Sequence, residues 1–243
     1  MDRDPVSILV TRAAPGADET LQRLAARGLS AVRAPMLSLI PRPDTPLPDD
    51  TTVSGYVFTS ANGVRALSKR PHNCALPAWC VGPATASAAR AAGFARVEES
   101  RGNAKALAEF IIARSRPGNG PLLHIANADA VGDLKATLER SGYEVIFAPL
   151  YQMRPATALS EGVDMMLKQD AGGIILIHSA KGAAAFAGLA KDISLKRWHV
   201  VAISQKAAIP LSSTPLASLR WATHPDEDSL IAALVVTIAT LSA

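Results

Sequence analysis

Long apolar runs are missing from this 243-residue chain. Apolar residues reach 49% of it, enough for sizeable cores, but Gly, Pro or charge interrupts them every few positions, so no transmembrane helix is expected. Aromatic residues are only 5% and the basic residues nowhere form a run of five, which argues against a base-stacking surface and against nucleic acid as a partner. The cysteines, Cys74 and Cys80, have neither CxxC nor zinc-site spacing and read as two thiols of a reducing compartment. His, Cys, Asp and Glu show no metal-site spacing, so no metal is expected. Walker A, GxGxxG, HExxH and GxSxG patterns are absent, which leaves no phosphate loop and no activated serine nucleophile. Met1-Asp2-Arg3-Asp4-Pro5 runs straight into a strand pattern with no apolar leader, so a cytoplasmic location is expected. The net charge of +4 suits a small acidic ligand better than nucleic acid.

What the chain does have is an internal repeat. Phe58-Thr59-Ser60-Ala61-Asn62-Gly63-Val64 returns as Ile177-His178-Ser179-Ala180-Lys181-Gly182-Ala183, 119 positions later. Ile8-Leu9-Val10 returns as Leu122-Leu123-His124 at an offset of 114, and Cys80–Ala86 as Ala202–Ala208 at 122. Asn103–Ile111 aligns with Asp226–Leu234 at 123. Four matches in one order, with slowly drifting offsets, imply two similar halves. Two like units facing each other would make a cleft, a common place for a ligand.

Apolar β-rich runs alternate with helical periodicity throughout. Strands are expected at Val6–Thr11, Ala31–Ala34, Gly55–Phe58, Ala78–Val81, Leu122–Ile125, Glu144–Ala148, Ile174–Ile177 and Val200–Ile203. Helices are expected at Asp18–Arg27, Asn62–Leu67, Ala84–Ala92, Ala130–Arg140 and from Asp226 onward. Ala104, Leu107, Ala108, Ile111 and Ile112 form an amphipathic stripe behind the cap Asn103. Such alternation implies an α/β fold of two similar doubly wound parallel-sheet domains. Pro41–Pro48 and Ala148–Pro155 read as the extended connecting segments.

Ligands of doubly wound sheets bind beyond the C-terminal strand ends, where helix N-termini point. Ser60 and Ser179 both fall at such strand-to-helix turns, with Ala61-Asn62 and Ala180-Lys181 opening the helices. A serine there can cap the helix, or cap it and help to seat an anion. In Gly82-Pro83-Ala84-Thr85, Gly82 permits close backbone approach and Thr85 can present a hydroxyl. The counterpart turn places Lys206 at the corresponding helix start, as an anion contact or a solvated surface lysine. His124 and His178 lie in apolar strand contexts and read as packed or strand-end residues. Tyr151 lies at the second connecting segment, either as a ligand contact or as packing. A site of hydroxyls and backbone amides would act by positioning. With no more than this, a non-catalytic two-lobed binder of a small polyanionic ligand is the alternative reading.

Taken together, Ile8-Leu9-Val10-Thr11-Arg12, Phe58–Val64, Val81–Ala86, Gly102–Ala108, Leu150-Tyr151-Gln152, His178–Gly182 and His224-Pro225 resemble the uroporphyrinogen-III synthase family, over about Ile8 to Leu234. The resemblance implies two domains joined by a pair of connecting strands, the first discontinuous (1–36 with 154–243) and the second spanning 39–150, with linkers near 36–41 and 149–154. It implies cyclisation of hydroxymethylbilane to uroporphyrinogen III, with loss of water and inversion of the last pyrrole, by a hydro-lyase acting as a monomer without a cofactor. Tyr151 carries over as the candidate general acid, and Ser60, Thr85 and Ser179 as substrate-binding positions. Ala61, Asn62, Ala180 and Lys181 belong to the same two motifs. Some relatives carry a threonine pair at Lys206-Ala207, so Lys206 would put a charge where they have a hydroxyl.

Overall fold

A computed structural model describes residues 6–118, 120–169 and 172–242; the leader-free reading of Met1–Pro5 concerns residues outside these. Contacts divide the chain into two compact units, 1–39 with 154–243 and 40–153. In unit 1 the strands β1 (Ile8–Val10), β2 (Val32–Arg33), β9 (Gly173–Ile177), β10 (Trp198–Ala202) and β11 (Ser218–Trp221) form a sheet ordered β11-β10-β9-β1-β2. All of its pairings are parallel. Unit 2 carries β3 (Leu37–Pro41), β4 (Gly55–Phe58), β5 (Ala78–Val81), β6 (Val97–Ser100), β7 (Leu122–Asn127) and β8 (Val145–Pro155), ordered β3-β8-β7-β4-β5-β6. From β8 to β6 this sheet is parallel as well.

The central strands are apolar along their whole length because both faces are covered. β4 and β9 are buried at every residue. In unit 1 one core gathers Leu9, Ile175, Phe186, Trp198 and Val200, and another gathers Ile8, Val10, Leu24, Ile174 and Leu230. Unit 2 divides in the same way, with Phe58, Val64 and Leu123 on one side and Val57, Leu107 and Leu138 on the other. Successive strand residues thus feed opposite cores, the period-2 geometry of a sheet between two helix layers.

The sequence repeat and the spatial units cut the chain differently. β4, β5 and β6 of the first half correspond to β9, β10 and β11 of the second, and β1 and β2 to β7 and β8. Each unit takes β1-β2 or their equivalents from one half and the three remaining repeated strands from the other. The chain passes between units within β3 and within β8, which are neighbours in a sheet. The segments near 36–41 and 149–154 are therefore strand, and Pro41–Pro48 only begins at the end of one.

Most helices start where their capping residues predict. α2 (Ala61–Leu67), α4 (Ala104–Arg114) and α7 (Ala180–Leu189) follow Ser60, Asn103 and Ser179, whose side chains accept from backbone N–H groups of the first turn. α1 (Gly16–Ala25), α3 (Gly82–Ala91) and α9 (Glu227–Ser242) also match their patterns. The helix expected from Ala130 begins only at α5 (Leu134–Arg140). Gly132 at φ 129° lies outside helical geometry and leaves Val131 96% exposed. α6 (Glu161–Lys168) and the single turn α8 (Gln205–Ala208) complete the α-helices of the described residues.

Candidate active site

In each sheet the chain winds outward in both directions from one strand pair, β4/β7 in unit 2 and β9/β1 in unit 1. The crevice at the C-terminal end of such a pair is where doubly wound folds bind ligands.

At the unit 2 position, Ser60 caps α2 in an extended conformation (φ −160°, ψ 154°) and accepts from Gly63 N. Its Oγ also lies 2.7 Å from the Tyr151 hydroxyl. This meeting depends on an irregularity in β8. Ala126 pairs with Pro149, but Asn127 pairs with Tyr151, so Leu150 is an extra residue on the β8 side. A regular strand would place Tyr151 on the face opposite Leu150. The bulge puts both on the face that carries Ile125, Ala148 and α2. Tyr151 is 3% exposed. Burial raises its phenol above the ordinary tyrosine value, and the Ser60 hydrogen bond offsets only part of that rise.

Ala61 and Asn62 form the first turn of α2 and are half-buried. Thr85 sits in α3, only 4% exposed, and its helix opens at Gly82 with φ 68°, a conformation that suits glycine. In unit 1, Ser179 (φ −163°, ψ 153°) repeats the cap, accepting from Gly182 N at 3.0 Å. Ala180 is half-buried and Lys181 exposed. Lys206 is exposed on α8, behind Ser204, which caps in the same extended geometry. The structure joins Ser60 directly to Tyr151. The remaining expected residues are placed by their own helix starts. A surface cavity of about 490 Å³ in unit 2, lined by Pro41, Arg42, Asp44, Phe147 and Pro149, contains none of them.

A second polar cluster, which the local sequence pattern does not disclose, surrounds Glu227. Glu227, first residue of α9, accepts from Thr20 Oγ1 at 2.7 Å and from Arg12 Nη1 at 3.2 Å. His178 Nε2 lies 3.4 Å from the same carboxylate. A carboxylate only accepts, so Nε2 carries a proton, and Nδ1 is left buried without a partner. Burial works against the charge of Glu227, but His178, Thr20 and Arg12 together outweigh it and hold its pKa down at about 2. The signal was available in the repeat. At the offsets 114, 119 and 123, Arg12, Thr20, His178 and Glu227 correspond to Ala126, Leu134, Thr59 and Ala104, so the two halves part company at all four positions. Among the described residues no group of His, Cys, Asp and Glu is arranged to hold a metal ion, and no helix is long and apolar enough to cross a membrane.

Comparison with known proteins agrees with this architecture. The uroporphyrinogen-III synthetase of Helicobacter pylori 26695 superimposes with a TM-score of 0.66 at 17% identity, covering 96% of this chain and 99% of that one. A mutant uroporphyrinogen III synthase from the extremely thermophilic bacterium Thermus thermophilus gives 0.55 at 16% identity, covering 97% and 99%. At these identities the likeness concerns the fold. No curated protein matches the chain by sequence. The family model described as uroporphyrinogen-III synthase HemD matches residues 18–232, nearly the whole length. The chain belongs to the uroporphyrinogen-III synthase HemD family.

Proposed function

We infer that the chain is a uroporphyrinogen-III synthase, an enzyme of tetrapyrrole synthesis that acts on hydroxymethylbilane. The match to the family over residues 18–232 carries this reading. In the hydro-lyase reaction proposed here the terminal hydroxyl leaves as water. The last pyrrole attacks through its substituted carbon to give a spiro intermediate, which fragments and recloses with that ring inverted. Closure without inversion needs no enzyme, so the task is mainly one of orientation, which can supply several kcal/mol.

Tyr151 and Ser60 are proposed to serve the departing hydroxyl. Ser60 Oγ already accepts from Gly63 N. If it also accepts from the Tyr151 hydroxyl, its own proton is free to point at a ligand. A buried phenol with a raised pKa resists becoming a phenolate. This favours Tyr151 acting through Ser60, whose free proton hydrogen-bonds the leaving oxygen, over complete proton transfer, for which a substrate carboxyl is the better donor. Ala61, Asn62, Ser179, Ala180, Lys181 and Lys206 are proposed as contacts for the substrate's carboxylates. The amides at the starts of α2 and α7 are suited to that task, whereas the burial of Thr85 favours a role in shaping the turn. A cytoplasmic monomer remains part of the proposal.

Incubation of the protein with hydroxymethylbilane, followed by oxidation and separation of the isomers, tests the reading. Isomer III is the expected product. Isomer I alone, at the rate seen without protein, would overturn the synthase reading.

A further inference from the structure

We propose that Arg12 binds a carboxylate of the substrate at the C-terminal edge of the unit 1 sheet, with Glu227 and Thr20 holding its guanidinium in the space that Gly16 leaves. The identity of the ligand rests on the function proposed above; the site itself rests on unit 1 alone.

Arg12 follows β1, and its side chain remains 30% exposed although it is tied down at one end. Both of its hydrogen bonds, to Glu227 Oε2 at 3.2 Å and Thr20 Oγ1 at 3.5 Å, leave from Nη1. The other donors of the guanidinium fork are therefore available for a second acceptor. Gly16, at the start of α1, leaves room for the guanidinium. A Cβ there would stand 2.3 Å from Arg12 Nε and 2.6 Å from Cζ. The helix surface is thus relieved at the one residue over which the arginine lies.

The other members of the cluster anchor this arginine. Glu227 is ionised down to a pKa of about 2 and is gripped from α1, β1 and the end of β9. Its charge cancels that of Arg12, so the pair offers a directional fork of donors and no net charge. Selectivity for a planar carboxylate follows from that geometry.

The fold does not need this arrangement. Unit 2 builds the same strand pair with Ala126, Leu134, Thr59 and Ala104 at the corresponding places. Buried ion pairs add little stability compared with apolar packing of the same shape. A fork held at the crevice of one unit and replaced by other residues in the second points to a ligand on that side. Ser179 stands next to His178, so the fork and the α7 start could hold neighbouring carboxylates.

The test is direct binding of uroporphyrin III, a fluorescent octacarboxylate, to the full-length protein and its variants, beside that of the tetracarboxylate coproporphyrin III. Arg12→Gln should raise the Kd for uroporphyrin III about 10- to 100-fold, the loss expected for hydrogen bonds to a charged group. Arg12→Lys should restore little of it, because a point charge does not replace a fork. Gly16→Ala keeps every charge and displaces only the guanidinium, so it should weaken binding even if Arg12→Gln is poorly folded. With hydroxymethylbilane these variants should raise KM more than they lower kcat. The proposal fails if Gly16→Ala and Arg12→Gln bind uroporphyrin III as tightly as the unmodified protein, or if that protein binds neither porphyrin. Arg12-dependent binding by a protein that forms no isomer III would instead overturn the enzymatic reading and leave the carboxylate site standing.

Discussion

The Ser60–Tyr151 pair shows how far a single residue's chemistry depends on its surroundings. A free phenol is a weak acid with a pKa near 10, and burial of Tyr151 makes it weaker still. A full general acid contributes roughly 10²–10⁴-fold to a rate. The Tyr151→Phe variant is expected to lose only about tenfold in kcat, the value of one hydrogen bond that strengthens in the transition state, with KM nearly unchanged. A loss of about a thousandfold in single-turnover experiments would mean that Tyr151 delivers the proton itself. That a tyrosine lies near the second connecting segment is legible in the chain, but its partner is not. Ser60 is 91 positions away, and their meeting depends on the bulge at Leu150, which no alternation pattern discloses.

Among the elements, the repeated serine caps at Ser60 and Ser179 were the most legible feature, and the structure adds a third at Ser204. Ser60, Ser179 and Ser204 share almost the same dihedral angles, near φ −162° with ψ between 153° and 162°, and each accepts from the amide three residues on. Capping is local, so sequence alone locates it. Its cost on removal is not local. Ser179→Ala should lower stability by about 1 kcal/mol, as for an ordinary cap. Ser60→Ala should cost roughly 2 kcal/mol or more, because it also leaves the buried Tyr151 hydroxyl without its partner. Urea unfolding of the two variants tests the difference, and equal losses would mean the phenol finds another acceptor. Elements that escaped the pattern did so for physical reasons. β6 reads Val-Glu-Glu-Ser and β11 Ser-Leu-Arg-Trp, edge strands whose charged residues need no buried face.

For the molecule as a whole, two groups, one in each unit, tie stability to pH on the acid side. His124 lies within β7, 6% exposed, its ring edge against Phe147 and both nitrogens without partners. Burial lowers its pKa to about 4, whereas the unfolded chain has the ordinary value of 6.5. The unfolded state therefore binds a proton first. Stability is complete above 6.5 and is lost as pH falls from there toward 4, by about 2 kcal/mol between roughly pH 7 and pH 5. Glu227 adds a second loss on the same sign rule: its pKa is depressed, so its contribution is present above 4.5 and fades as pH falls toward 2. A His124→Leu variant should show a flatter denaturation midpoint between about pH 7 and 5 while keeping the loss at lower pH. If its midpoint fell as steeply as that of the unmodified protein, some other group would have to govern the first transition.

The sequence by itself determined what depends on neighbours a few positions apart: the alternation of strand and helix, the helix caps, the burial of the central strands, and the presence of two similar halves. Similar stretches adopt similar local structure wherever they finally pack, so β4-α2 and β9-α7 could be matched residue by residue. Only the tertiary structure decided which strands share a sheet. Each unit completes its sheet with strands from the opposite half, because similar halves present interchangeable edges and the connections through β3 and β8 select between them. It also decided which distant side chains meet. Ser60 with Tyr151, and Arg12 with Glu227 across 215 positions, are contacts between strand ends and helix starts, which acquire neighbours only once the sheet order is set.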